Sequence, residues 1–367
     1  MTLNVNETKR KKAKLCTYNL NNYVIIRYMN MLDGYDVVNI EMPGIKSWID
    51  KDWSYLYMGE HVGKKFSDHN TADYEVAIFG DGTKEYIFSD LFKNVKRELA
   101  SSKDICMLFK LSETHRAAIF ELAKSYYRNV SFIDGMRIDL SKIENDKKHL
   151  YKMEVPVVFV VGTQEQSKKM DCVLGLKKYF DSKGYKVQAI GSKSFSALFD
   201  VHAFPDFMYD SISEENKILY FNALCKNIEY FEHPDIFIVG IPGGLMQYNS
   251  TVTNHFGILP YEISQALDPD YIVTVIPYGE YDRSFYNKVS STVESRLGCA
   301  NISYGMTNCF IDINLSRQDN QVRYCNVRYD DVERNIAECD NPKVYNLLSD
   351  NQINLIAEEI ISKLSYS

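Results

Sequence analysis

The run Val157-Val158-Phe159-Val160-Val161-Gly162-Thr163-Gln164-Glu165-Gln166-Ser167-Lys168-Lys169-Met170 decides the architecture of the chain's second half. Its apolar, mostly β-branched start predicts a strand buried on both faces, as in a parallel sheet. A glycine-led loop follows, and two lysines stand where a helix begins. In that setting main-chain N–H groups and one lysine can hold a phosphate. Against G-x-x-x-x-G-K-[ST], Gly162 fits and Lys168 has the right spacing. Ser167 then replaces the second glycine, and Lys169 replaces the metal-binding hydroxyl. In the other register Lys169 is the phosphate lysine, the loop is one residue longer, and Met170 follows. Either register lacks one Mg²⁺ ligand, so phosphate binding is expected to survive better than hydrolysis. A plain strand, turn and helix with two solvated lysines accounts for the same residues.

Two further loops are expected at the same sheet edge. Asp235-Ile-Phe-Ile-Val-Gly240-Ile-Pro-Gly243-Gly244 is an apolar strand ending in a hinge-like glycine pair, and Gly191-Ser192-Lys193 closes another strand. Open α/β sheets bind ligands at the carboxyl ends of their strands. The expected phosphate or nucleotide site is therefore Gly162, Thr163, Gln164, Glu165, Gln166, Ser167, Lys168, Lys169, Met170, Gly191, Ser192, Gly243 and Gly244. ATP or GTP is the expected ligand, with Mg²⁺ doubtful. Asp171 and Asp235 are carboxylates within reach of a metal, although Asp235 reads better as a turn residue after Pro234. His202 is either a general base or a packed histidine. Asn254 and Gly257, in Thr253-Asn-His-Phe-Gly257, either touch ligand or simply turn. No Ser/His/Asp or Cys/His arrangement supports a nucleophile, and Gly80-Asp81-Gly82 is too short for a dinucleotide fingerprint.

The rest of the chain alternates strand and helix patterns, which predicts parallel sheets flanked by helices. In the first half the expected strands are Lys14–Tyr18, Tyr35–Met42 (closed by Pro43-Gly44), Tyr74–Phe79, Ile105–Lys110 and Val130–Ile133. The expected helices there are Asn22–Leu32, about 85–99 and Glu113–Tyr127. A charged linker is expected at Gly135–Glu154, which includes Glu144, Asn145, Asp146, Lys147 and Lys148. In the second half the strands are Val155–Val161, Lys186–Ile190, Ile236–Gly240 and Tyr271–Ile276, and the helices include Lys168–Asp181 and Tyr261–Ala266. Capping boxes at Ser211-x-x-Glu214 and Ser349-x-x-Gln352 open helices reaching about Phe231 and Leu364. The fold expected is α/β in two domains: Rossmann-like over residues 1–140, and P-loop NTPase-like with a mostly parallel sheet over residues 150–367.

A net charge of −7 argues against nucleic acid as a partner, and the run Lys9, Arg10, Lys11, Lys12, Lys14 reads as a solvated chain end. No apolar stretch approaches the ~18 residues of a membrane span, so a cytoplasmic, membrane-free protein is expected. The 8 cysteines include no C-x-x-C pair, and the four within Cys299–Cys339 match no zinc spacing, so buried thiols are expected.

Val160–Lys169, Gly184–Ser192, Phe204–Met208, Gly240–Gly244 and Thr253–Gly257 together resemble the clostridial-type peptide maturation system proteins. These are accessory proteins encoded beside a Cys-rich or bacteriocin-like precursor peptide and a radical SAM maturase. The resemblance implies a single loop lysine followed by an aromatic residue, which would match Lys169 and Met170, with Gln164 where a second glycine stands. It also implies precursor peptide and maturase as partners. Two functions follow as expectations. One is an accessory protein that binds a nucleotide or phosphate with little hydrolysis, at most as a weak NTPase. The other is an inert scaffold presenting precursor peptide or carrier protein, its 27 tyrosines supplying contacts.

Overall fold

The computed structural model describes residues 10–16, 22–41, 48–66, 72–80, 88–140, 149–247, 249–250, 252–319, 322–339 and 343–365. Pro43-Gly44, Asp81-Gly82 and Glu144–Lys148 lie outside these residues. The chain forms two compact units. One runs as far as Gly135 and takes in Ala197–Asp200, and the other comprises Met58–Glu60, Met136–Ser196 and Val201 onward.

The first unit is a five-stranded parallel sheet of β1 (Lys11–Cys16), β2 (Tyr35–Ile40), β3 (Val76–Phe79), β4 (Asp104–Met107) and β5 (Val130–Phe132), in the order β2-β1-β3-β4-β5. Helices α2 (Phe88–Ala100) and α3 (Glu113–Ser125) pack on it. Leu91, Val95 and Leu99, spaced four apart on α2, meet Ala77, Phe79, Ile105 and Met107 of the strands. The expected helix Asn22–Leu32 is shorter. It forms α1 (Tyr23–Arg27) and a separate 3-10 turn, Met29–Met31. Tyr23, Val24, Ile25 and Ile26 are buried in succession, so apolar surroundings on all sides replace the amphipathic stripe.

The second unit contains a seven-stranded sheet in the order β14-β11-β10-β6-β9-β7-β8, every neighbouring pair parallel. Its strands are β6 (Val157–Gly162), β7 (Val187–Gly191), β8 (His202–Ala203), β9 (Ile236–Gly240), β10 (Tyr271–Ile276), β11 (Ile302–Met306) and β14 (Val344–Asn346). All residues of β6, β9, β10 and β11 are buried, which requires helices on both faces. The helices fall into two packed groups. Helix α4 (Lys169–Ser182) lies against α10 (Asp350–Leu364), and α6 (Ile258–Ala266) lies against both α5 (Glu214–Glu232) and α7 (Arg283–Leu297). From β6 the chain first moves to β7 on one side and later to β10 on the other. The strand order thus reverses at β6, which makes its carboxyl end a topological switch point. A small antiparallel pair, β12 (Cys309–Asp312) with β13 (Arg323–Asn326), and helices α8 (Ile313–Asp319) and α9 (Tyr329–Ala337) complete the unit. Among the described residues no helix is long and apolar enough to cross a membrane.

Two local expectations are corrected. Ser213, not Ser211, caps α5 by accepting from Asn216 N, and Glu214 is the first helical residue, not the third. Ser349 precedes α10 without a side-chain cap bond, and Gln352 instead accepts from Asn346 N at 2.7 Å. The end of the expected linker is also held in place. Asn222 bonds both the N and the O of Tyr151, and Glu229 accepts from Glu154 N and Val155 N, so α5 sets where β6 begins. The cap assignment gives a stability test. Ser213→Ala should lower unfolding free energy by about 1 kcal/mol, whereas Ser211→Ala should stay within roughly 0.5 kcal/mol of the parent in urea denaturation.

Candidate functional site

At the end of β6 the sheet continues for one residue, with Thr163 N donating to Val275 O at 2.9 Å. The chain then folds back over Gly162. A Cβ there would stand 2.0 Å from Ser167 Oγ and 2.9 Å from Gln164 O, so only glycine admits the loop. The loop closes at Lys168, which has φ 56° and is the N-cap of α4. The left-handed backbone that favours glycine falls at Lys168, and Ser167 does not adopt it. The two adjacent lysines thus differ: Lys168 takes the left-handed position, and Lys169, the first residue of α4, folds back into the loop. The Lys168 ammonium turns aside to Asn308 Oδ1.

Lys169 Nζ is enclosed by oxygens of its own loop and of the neighbouring one. It lies 2.8 Å from Gly243 O, 3.0 Å from Glu165 O, 3.3 Å from Ser167 Oγ and 3.4 Å from Gln164 O. Burial pushes its pKa down to about 7, Lys193 adds to that, and Glu165 opposes it.

The three expected loops do meet. Leu245 N donates to Gly162 O at 2.7 Å, and the contact of Lys169 with Gly243 ties the 241–245 loop to the start of α4. A Cβ on Gly191 would fall 2.9 Å from Met170 Sδ, and one on Gly240 would lie 3.5 Å from Ser192 N. Asn254 adds a fourth segment. Its Nδ2 donates to Thr163 O at 3.2 Å and Met246 O at 2.9 Å, and its side chain leaves no room for a Cβ on Gly244. Asn254, His255, Phe256 and Gly257 are all left-handed, with φ of 50°, 52°, 58° and 72°. Arg296 Nη1 braces this turn by donating to Phe256 O and Leu245 O. Asn308, and Tyr324 on β13, also stand beside the loop. The Tyr324 phenol is pushed up to about 12 by burial, with Glu165 contributing. No local sequence signal marks either residue.

Of the remaining candidates, Asp235 and His202 lie elsewhere. Asp235 accepts from Lys186 N at the amino end of β9, away from the loops. His202 is on edge strand β8, three strands from β6. The Asp171 carboxyl is driven well above its usual range by burial, with Asp350 adding to this and Lys193 opposing it. At the position of the Mg²⁺-binding hydroxyl, Met170 Sδ packs 3.7 Å from Ser196 Oγ. Mg²⁺ requires hard oxygen donors, so a thioether where the hydroxyl would stand does not supply one. In the first unit Cys16, Glu41 and Glu98 have ligand atoms within 4.8 Å of one another. Lys14 Nζ lies 2.9 Å from Glu98 and 3.5 Å from Glu41, so the cation serving these carboxylates is an ammonium. All eight cysteines are free thiols, with Cys325 and Cys339 half-buried.

No family model and no curated protein matches the chain. Among solved structures, a DUF1611 family protein from Anabaena variabilis is similar over 96% of this chain and 100% of its own, with a TM-score of 0.59 at 10% identity. That likeness concerns the fold. An apo GTPase from Pyrococcus abyssi aligns over 56% of this chain and 83% of its own at 14% identity, but a TM-score of 0.26 is too low to carry an argument.

The buried lysine predicts a pH dependence. Its pKa is about 7 when folded and 10.5 in the reference state, so the unfolded chain holds more protons between these values. Stability should therefore rise with pH across that window, by up to about 1.4 kcal/mol per pH unit from this group. In Lys169→Met that contribution should vanish, as measured by urea denaturation of both proteins from pH 6 to about 10.

Proposed function

We propose that the second unit binds a phosphorylated ligand through residues 162–169, with ATP and GTP as first candidates, and does not hydrolyse it efficiently. One observation carries this reading: the Lys169 ammonium is held among neutral main-chain oxygens at a strand–loop–helix junction. An incoming phosphate is a stronger partner for that ammonium than a carbonyl. The exchange would free Gly243 O, so the Gly243-Gly244 loop would respond to occupancy. Little hydrolysis is expected because Met170 offers Mg²⁺ a thioether where the metal-binding hydroxyl would stand.

As an accessory protein in the maturation of a ribosomally made peptide, the chain would work beside a precursor peptide and a radical SAM maturase in the cytoplasm. Support for that setting is the sequence resemblance alone. The second reading, a non-catalytic scaffold, is favoured by the same enclosure: four oxygens already surround Lys169, so it could serve as a strut that binds nothing.

Titration calorimetry with ATP, GTP and pyrophosphate, with and without Mg²⁺, separates the two. Lys169→Ala should weaken binding roughly tenfold to a hundredfold, the loss of a charge-assisted contact, and Lys168→Ala should change it little. Brisk Mg²⁺-dependent turnover would contradict the absence of hydrolysis. A parent that binds none of these, with both variants behaving alike, would leave the scaffold. Binding at pH 8 should also take up protons, because an anion raises the pKa of a lysine that is about 7 when free. Heats measured in buffers of different ionisation enthalpy report that uptake, and Lys169→Arg should abolish it.

A further inference from the structure

Two carboxamides beside the phosphate loop are buried without full hydrogen bonding. Gln164 is fully buried, and neither its Nε2 nor its Oε1 has a partner among the described residues. Asn254 uses Nδ2 on Thr163 O and Met246 O but leaves Oδ1 unpartnered. Thr163 is next to Gln164 in the chain and bonded through its carbonyl to Asn254, and its Oγ1 also lacks a partner. Buried polar groups are otherwise paired almost without exception, because each unpaired one forfeits its hydration. Four such atoms on three linked residues, at the carboxyl end of the central strand, are more than the fold itself requires. The strain is concentrated there as well, since Asn254 opens the run of four left-handed residues. Unfavourable backbone of this kind clusters at ligand clamps and switch segments.

Resting on the phosphate reading above, we infer that Gln164, Thr163 and Asn254 form a recognition pocket for a neutral hydrogen-bonding group on the organic part of the ligand. The ligand is then a phosphate ester, not a bare inorganic phosphate. The chemistry of the three side chains selects this class. Two amides and a hydroxyl offer both donors and acceptors but no charge, which suits a sugar hydroxyl or a base edge. The phosphate has its own partners in Lys169 and the main-chain N–H groups. Entry is linked to phosphate binding, because Lys169 holds Gly243 O and Asn254 holds Met246 O in the same loop. A site of this kind discriminates strongly, since an analogue lacking the group leaves its buried polar atoms unpaired.

The test compares ATP, GTP and ribose 5-phosphate with pyrophosphate by calorimetry, for the parent and Gln164→Leu, alongside melting of the unliganded proteins. The parent should bind at least one ester more tightly than pyrophosphate. Gln164→Leu should reduce that preference about tenfold, and its melting temperature should hold or rise, because an unsatisfied amide has been removed. Asn254→Ala should reduce the preference in the same direction, with a lower melting temperature from the loss of its two Nδ2 bonds. A lower melting temperature in Gln164→Leu with the preference unchanged assigns the amide to an internal water and overturns the inference. A parent that binds pyrophosphate as tightly as every ester also overturns it, while leaving the phosphate reading intact. A parent that binds no phosphate compound overturns both.

Discussion

A single enclosed ammonium governs the second unit. Moving a charged amine out of water is costly, and the surroundings must return oxygen contacts to hold it. Here three come from backbone, Gln164 and Glu165 of the loop and Gly243 beyond the neighbouring strand's end, and one from Ser167 Oγ. Backbone oxygens can reach that point only because Gly162 lets the loop fold tightly and because β6 and β9 are adjacent. The compensation is incomplete, and burial still lowers the lysine's pKa. The centre of the sheet therefore holds a cation in a state that a better anion could improve.

The contacts around Lys169 run outward without a break. Gly243 and Met246 belong to one loop, Asn254 ties Met246 to Thr163, and Arg296 on α7 joins Leu245 to the left-handed turn. Each link is a hydrogen bond to a main-chain oxygen, so side-chain changes at 245 or 246 would leave the connection in place. The same scheme anchors the approach to β6, where Asn222 and Glu229 hold the backbone of residues 151–155. Side-chain amides and carboxylates that grip backbone are the recurrent device of this unit.

Much of this was legible in the sequence, and the failures have physical causes. Strands β6, β9 and β10 are continuous apolar runs, which is how a doubly covered parallel strand reads. Strand β11 is hidden because Ser303 and Gly305 interrupt it. Ser303 is satisfied by Glu359, and a Cβ on Gly305 would collide with Leu347. Helix α7 does carry a helical stripe, Tyr286, Val289, Val293 and Leu297, diluted by serines and threonines. Two adjacent lysines are indistinguishable by type, and only the left-handed backbone at Lys168 separates their roles. Asn254 and Asn308 meet their partners across 91 and 140 residues, a distance over which no local pattern operates.

A lysine with a pKa near 7 also differs in reactivity from a solvated one. Burial lowers its pKa and so enlarges the share of free amine, the form that attacks acylating agents. The enclosure that creates this nucleophile also withholds it, since the side chain is almost wholly buried. Gly243 O stands 2.8 Å from that nitrogen, so a reagent would reach it only if this contact were broken. Acylation at Lys169 would thus report how often that contact breaks, which would make this amine a chemical clock for opening at the end of β6.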